Sequence, residues 1–203
     1  MNKRLIRLME LTKTDEPLWA MGVCFAGMDE AGRGPLAGNV VAACVMMPPQ
    51  PLLIGVDDSK KLSEKLRESL YEQILETALQ VGVGEATPEE IDSMNILNAT
   101  KEAMRRAASK VKADLYLIDA LEGLGLHGAE RGIIHGDALC YAIAAASIVA
   151  KVTRDRQMRE ADSLYPAYGF ARHKGYGTQE HIKAIHEYGP CPLHRQSFIG
   201  KFL

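Results

Sequence analysis

Cysteine is sparse, and its spacing forms no pattern: Cys24, Cys44, Cys140 and Cys191 make no Cys-x-x-Cys. Two lie in strand-like apolar runs and one in a helix-like run, where a free thiol behaves as a small hydrophobe. A disulfide scaffold and a zinc knuckle are thereby excluded, and a reducing, cytoplasmic setting is expected. Long hydrophobic runs are also missing. The longest, residues 139–150, is interrupted by Ser147 and is too short to span a bilayer. Near the start, Glu10 and Asp15 break what would be the apolar core of a signal peptide. No membrane association is expected. The absence of Gly-Lys-Ser/Thr excludes a P-loop, and there is no repeat, low-complexity tract or Ser/Gly-rich linker.

What is present fits an ordinary globule, 47% hydrophobic and 25% charged over 203 residues. That length suffices for one full hydrophobic core. A single domain over 1–203 is expected, with a helical lead-in over roughly 1–22 and a C-terminal extension over roughly 160–203. The net charge of −2 is unevenly spread: from Lys151 onward nine Lys or Arg face five Asp or Glu, against fifteen and twenty-one before it. An acidic site beside a basic C-terminal third suits a protein that holds a cation and a polyanion together.

Periodicity predicts an amphipathic first helix packing through Leu5, Leu8, Met9 and Leu11. Strands are expected over 23–28, 39–47, 79–85 and 114–118, with a glycine-rich turn at Gly32-Arg33-Gly34. Ser63 should cap a helix carrying Leu66, Leu70, Ile74 and Ala78, and Thr87-Pro88-Glu89-Glu90 has the form of a capping box. Further helices are expected over 95–110 and 138–159, and a short one from Thr178 to the stop at Gly189-Pro190. Strands followed by alternating helices and strands indicate an α/β fold with a mixed sheet.

Four acids stand apart. Asp29 and Glu30 end the first predicted strand, Asp119 ends a later one, and Asp137 opens the long predicted helix. Strand ends of one sheet and a packed helix start can converge at the carboxyl edge. Four carboxylates there repel one another unless cations neutralise them, and all-oxygen ligands select Mg²⁺ or Mn²⁺ over Zn²⁺. Taken singly, each acid is also what a helix cap or a solvated surface presents; the set carries the argument. Adjacent residues of a regular strand face opposite sides, so Asp29 and Glu30 cannot both reach one ion from ideal pleat. Tyr176, between two glycines, could stack on a sugar or base, though on its own it reads as an ordinary core or surface tyrosine; Lys60, Lys61, Lys151, Arg172, His173 and Lys174 are candidate phosphate contacts, though most such side chains are merely solvated.

The run Gly27-Met28-Asp29-Glu30-Ala31-Gly32-Arg33-Gly34-Pro35-Leu36-Ala37-Gly38 closely resembles the signature of bacterial ribonuclease HII. So do Asp58-Ser59-Lys60-Lys61-Leu62, residues 144–155, residues 168–178 and the closing His194-Arg195-Gln196-Ser197-Phe198. The resemblance implies a ribonuclease-H-like mixed sheet flanked by helices, a helical C-terminal extension that binds substrate, and hydrolysis with two Mg²⁺ or Mn²⁺ ions. It places the metal-binding, catalytic acids at Asp29, Glu30, Asp119 and Asp137, the ribose-reading turn at Gly32, Arg33 and Gly34, and the junction-sensing tyrosine at Tyr176. Expected substrates are RNA/DNA hybrids and duplex DNA with embedded ribonucleotides, cut to leave 3′-hydroxyl and 5′-phosphate ends, with no obligate protein partner. The implied role is removal of misincorporated ribonucleotides and RNA primers.

Two departures accompany it: Asn39 stands where the family commonly has proline, and Ala120 where glycine is usual. No extra N-terminal domain is expected, unlike ribonuclease HIII. A dinucleotide-binding reading of Gly32-x-Gly34-x-x-x-Gly38 fails because the spacing is one residue too long. A non-catalytic hybrid-binding module would need no carboxylate cluster.

Overall fold

The computed structural model describes residues 2–200; the last three positions of the expected C-terminal extension, and Met1 of the lead-in, lie outside them. Helices α1 (Lys3–Leu11) and α2 (Glu16–Ala20) precede strands β1 (Phe25–Ala31) and β2 (Val40–Met46). A 3₁₀ turn (Ser59–Lys61), α3 (Glu64–Thr77), β3 (Gln80–Ala86) and α4 (Pro88–Ala108) follow. Next come β4 (Leu115–Asp119), β5 (Ala129–Ile133), α5 (Gly136–Leu139) and α6 (Tyr141–Leu164). The described chain closes with α7 (Phe170–His173), α8 (Gln179–Tyr188) and α9 (Gln196–Ile199). The strands form one mixed sheet in the order β3-β2-β1-β4-β5, with β1 antiparallel to β2 and parallel to β4.

The alternation of β2 decides the layers. Ala42, Cys44 and Met46 enter one core with Ala99, Ala103, Met104 and Ala107 of α4. Ala43, Val45 and Met47 enter the other with Tyr141, Ala144, Ala145 and Ile148 of α6 and Leu70 and Ile74 of α3. Small side chains let α6 lie close. At Gly27 on β1 a Cβ would stand 2.1 Å from the Ala142 carbonyl carbon, so any larger residue would push helix and strand apart.

The expected caps form. Ser63 Oγ accepts the Leu66 N–H, Thr178 Oγ1 accepts the His181 N–H, and Thr87 with Glu90 completes a reciprocal capping box. The helix expected from Asn95 instead starts at Pro88 and is kinked at Asn95, whose φ is 69° and whose side chain accepts from Leu97 and Asn98. A local cap therefore sits inside a longer helix. On α1 the buried residues are Leu8 and Leu11, while Leu5 and Met9 are exposed. The helix is anchored on its other flank by charge, Arg7 reaching Asp57 at 2.7 Å and the Ala138 carbonyl at 2.8 Å.

Strand β1 begins and ends later than expected, so Asp29 and Glu30 lie within it. β5 was not expected at all: Ala129-Glu130-Arg131-Gly132-Ile133 is an edge strand with no apolar alternation to signal it. The long helix expected from 138 is broken at Cys140, which is extended. The cause is Asp15. Its fully buried carboxylate accepts the Tyr141 and Ala142 N–H groups, both at 2.9 Å, and so fixes where α6 starts. Burial pushes the Asp15 carboxyl up to about 6 despite those bonds.

Asp15→Ala should leave both amides unpaired and cost about 1–3 kcal/mol. In a domain of this size that lowers Tm by roughly 2–4 °C per kcal/mol. A thermal melt at pH 7.5 checks it, and an unchanged Tm would remove Asp15 from this role.

Candidate active site

Parallel pairing sets Gly27 opposite Leu117 and Met28 opposite Ile118, so Asp29 and Asp119 are level at the carboxyl ends of adjacent strands. Met28 and Ile118 share the core under α4. Their successors Asp29 and Asp119 therefore both face the α6 side. Asp137 arrives on that side from α5, the short turn before α6, rather than from the long helix itself. One carboxylate oxygen from each of Asp29, Asp119 and Asp137 lies within 4.8 Å of the others. Glu30, one residue out of phase, is not in that triangle. It lines the same cleft, of about 200 Å³, with its carboxylate 3.6 Å from Arg33. A larger groove of about 440 Å³, lined by Leu97, Lys101, Leu121 and Ile134, holds no cluster of ligating groups among the described residues.

The triangle is electrostatically costly. Burial, followed by the charges of Glu30, Asp119 and Asp137, drives the Asp29 carboxyl well above its usual range. Asp119 is raised by burial and by Asp137, against the opposing Gly136 N–H, which donates to it at 2.7 Å. Glu30 is raised by burial, with Arg33 opposing. Lys60 Nζ stands 3.3 Å from Asp137 and supplies some positive charge. Hard oxygen donors, closely spaced and short of counter-charge, fit a hard divalent ion such as Mg²⁺ or Mn²⁺.

Next to the triangle the chain turns through Gly32, Arg33 and Gly34. Gly32 has φ +98°, and a Cβ there would overlap the Arg154 side chain. A Cβ on Gly34 would meet only the Tyr176 ring, at 3.8 Å, so this turn and the half-exposed tyrosine face one space. Two fully buried arginines hold the turn. Arg195 donates to the carbonyls of Gly32 (2.6 Å), Arg33 (3.0 Å), Pro35 (2.8 Å) and Gly38 (2.7 Å). Arg154 donates to those of Ala37, Asn39 and Lys174, tying the turn to the segment that carries Tyr176. Burial lowers Arg195 to about 9, which leaves it charged at neutral pH.

Sequence reasoning did not single out these arginines for a role. A charged residue in the apolar-flanked stretch around 154 was the available signal. The candidate phosphate contacts divide. His173 is buried with both ring nitrogens bonded to backbone, Arg172 is paired with Glu180, and Lys151 with Asp155 at 2.6 Å. Lys60 and Lys151 line the cleft. Asn39 uses its side chain to donate to Glu85 on β3 at 2.8 Å, a bond proline would lack. Ala120 has φ 51°, the left-handed conformation in which glycine is unstrained.

A family model described as Ribonuclease HII matches residues 26–201. A "Ribonuclease HII" of Acetivibrio thermocellus is 50% identical over 204 aligned residues, covering 99% of this chain and 80% of that one. A "Ribonuclease HII" of Desulfitobacterium hafniense is 54% identical, covering 95% and 75%. Among solved structures, the ribonuclease H2 from Pyrococcus horikoshii superposes with a TM-score of 0.74 at 28% identity, covering 88% of this chain and 96% of that one.

Two stability measurements test the site. A carboxyl raised by folding contributes stability at low pH that is lost as pH rises through its folded value. In EDTA, Asp29→Asn should therefore raise Tm by several degrees at pH 7.5 and by less at pH 5, and should weaken the Mg²⁺-induced rise. Equal shifts at both pH values would mean Asp29 is not strained. Ala120→Gly should stabilise by about 0.5–1 kcal/mol after the entropy glycine adds to the unfolded chain, roughly 1–4 °C in Tm. A lower Tm would show that the alanine methyl matters more than its backbone.

Proposed function

The chain belongs to the ribonuclease HII family, and from that footing we propose that this nuclease cuts the RNA strand of RNA/DNA hybrids and cuts 5′ of ribonucleotides embedded in duplex DNA. One observation carries the reading. The triangle of Asp29, Asp119 and Asp137, with the first and last buried and Asp119 partly so, adjoins the cleft shared by the 32–34 turn and Tyr176. Asp29, Asp119 and Asp137 would hold Mg²⁺ or Mn²⁺, two ions in the catalytic state, with Glu30 as a further ligand. The chemistry such ions supply when bound is activation of a water nucleophile and stabilisation of charge on the leaving 3′ oxygen. The products are a 3′-hydroxyl and a 5′-phosphate.

The chain's own residues choose the bond. With the Gly32 and Arg33 carbonyls committed to Arg195, the turn's N–H groups are left for a ribose 2′-hydroxyl, the group that distinguishes RNA from DNA. Arg33, half-exposed at the cleft, neutralises the adjoining phosphate. Tyr176 stacks on the deoxyribose that follows an RNA-to-DNA junction. The C-terminal segment, α7 to α9, is thus the substrate-binding extension. Among the described residues no helix is long and apolar enough to cross a membrane. The proposed setting is the cytoplasm and the proposed task removal of misincorporated ribonucleotides and RNA primers, without an obligate protein partner.

The test is a DNA duplex with one ribonucleotide, compared with an all-RNA/DNA hybrid. Cutting 5′ of the ribonucleotide should require Mg²⁺ or Mn²⁺. Asp29→Asn and Asp119→Asn should abolish cutting while duplex binding persists. Tyr176→Ala should lose stacking worth about 1–3 kcal/mol, a tenfold to hundredfold drop in kcat/KM, mainly on the junction substrate. Gly34→Val should harm both substrates, since its side chain would fill the space between turn and tyrosine. Near-normal turnover in either aspartate variant would remove that residue from the site.

A further inference from the structure

The segment that carries Tyr176 rests on imidazoles. His173, His181 and His194 are buried, and all three pack around the Phe170 ring, with centroids 6.1, 5.5 and 5.7 Å from it. Their hydrogen bonds fix their protons. His194 Nδ1 accepts the Cys191 N–H at 2.9 Å, so a neutral His194 carries its hydrogen on Nε2. That atom lies 3.0 Å from His181 Nε2, which must accept. The His181 hydrogen is therefore on Nδ1, 2.9 Å from the Tyr176 carbonyl, to which it donates. A directed chain runs from the Cys191 N–H through His194 and His181 to the Tyr176 backbone. His173 steadies the same turn, accepting the Gly175 N–H at 3.2 Å and donating to the Tyr168 carbonyl at 2.7 Å.

We infer that His194 and His181 are positioning residues that fix the pose of Tyr176 over the 32–34 turn, and that the link through His181 holds only while that ring is neutral. The inference rests on the reading of Tyr176 as the junction sensor. Protonating His181 would set N–H against N–H across the 3.0 Å contact and break the chain there; protonating His194 would instead add its hydrogen at Nδ1, against the Cys191 N–H at 2.9 Å, and leave the His194–His181 bond in place. The surroundings oppose that proton. His173 stacks on His181 with centroids 4.5 Å apart, and Tyr168 and Cys191 flank His194. The positive charge that bears on His181 comes from His173 and His194, and that on His194 from His173. Among the described residues no carboxylate is hydrogen-bonded to any of the three rings.

Burial pushes His181 down to about 4 and lowers His194, from an ordinary 6.5. A histidine lowered by docking leaves the undocked segment to take up protons first. The docked pose is thus destabilised as pH falls from about 6.5 toward about 4.

The readout is the ratio of kcat/KM on the single-ribonucleotide duplex to that on the hybrid, which cancels chemistry common to both. In the wild type this ratio should fall between pH 7.5 and pH 5.5. In His194→Leu it should already be reduced on the order of threefold to tenfold, the worth of one neutral hydrogen bond, and fall less steeply with pH. His194→Gln, which keeps an N–H donor, should recover part of it. Long-range ¹H–¹⁵N spectra of the wild type at pH 7.5 should show His181 as the Nδ1–H tautomer and His194 as the Nε2–H tautomer. The opposite tautomers, or a wild-type ratio in a folded His194→Leu, would overturn the inference. Tyr176→Ala runs alongside. If it loses equally on both substrates, the junction reading of Tyr176 fails. The relay is then judged by the tautomers and by whether His194→Leu shifts the Tyr176 and Gly177 backbone resonances; unshifted resonances overturn it.

Discussion

Like charges held close together out of water are the constraint around which this molecule is organised. Two carboxylates within 4.8 Å repel by roughly 3 kcal/mol at the effective dielectric of a protein site, and here three share that distance. Isolated side chains would swing apart. They are kept together because each is fixed through its backbone: Asp29 and Asp119 by strands paired in register, Asp137 by a short turn wedged before α6. The placement of α6 depends in turn on a missing side chain at Gly27 and a buried carboxylate at Asp15. A site that stores repulsion needs rigid surroundings, and sheet and helix provide them.

The positive side of the cleft follows a different rule. Arg154 and Arg195 are as deeply buried as the acids, yet none of their hydrogen bonds among the described residues goes to a carboxylate. Backbone carbonyls solvate them instead, and a guanidinium with five N–H groups can gather several at once. The result is a loop held through its carbonyls by the two guanidiniums and through the Leu36 and Gly38 N–H groups by the Gly175 and Leu193 carbonyls. Acid triangle and amide-bearing turn meet at one cleft, so attraction for a cation and for a phosphodiester are adjacent without cancelling.

Much of this was legible in the sequence, and the exceptions have physical causes. The caps at Ser63, Thr87 and Thr178 were readable because a hydroxyl three residues before an amide is a local pattern. The phase problem between Asp29 and Glu30 was also visible, since pleat geometry needs only adjacency, and the structure separates the two accordingly. β5 was invisible because an edge strand has little to bury. The break at Cys140 was invisible because its cause, Asp15, lies 125 residues away. Arg195 and the histidines beneath Tyr176 share that difficulty: their roles depend on partners that only folding brings near.

Consider when, as the chain is made, the cleft can exist. The sheet is complete once β5 has formed, and the acids are all in place by Asp137. The 32–38 loop, however, takes its shape from a residue at position 195, 163 positions after the Gly32 whose carbonyl it holds. Contacts of such sequence separation close late in folding. A nascent chain exposed as far as α6 would carry its acids before the 32–38 loop beside them is fixed. The acids come first, and the loop beside them is fixed last.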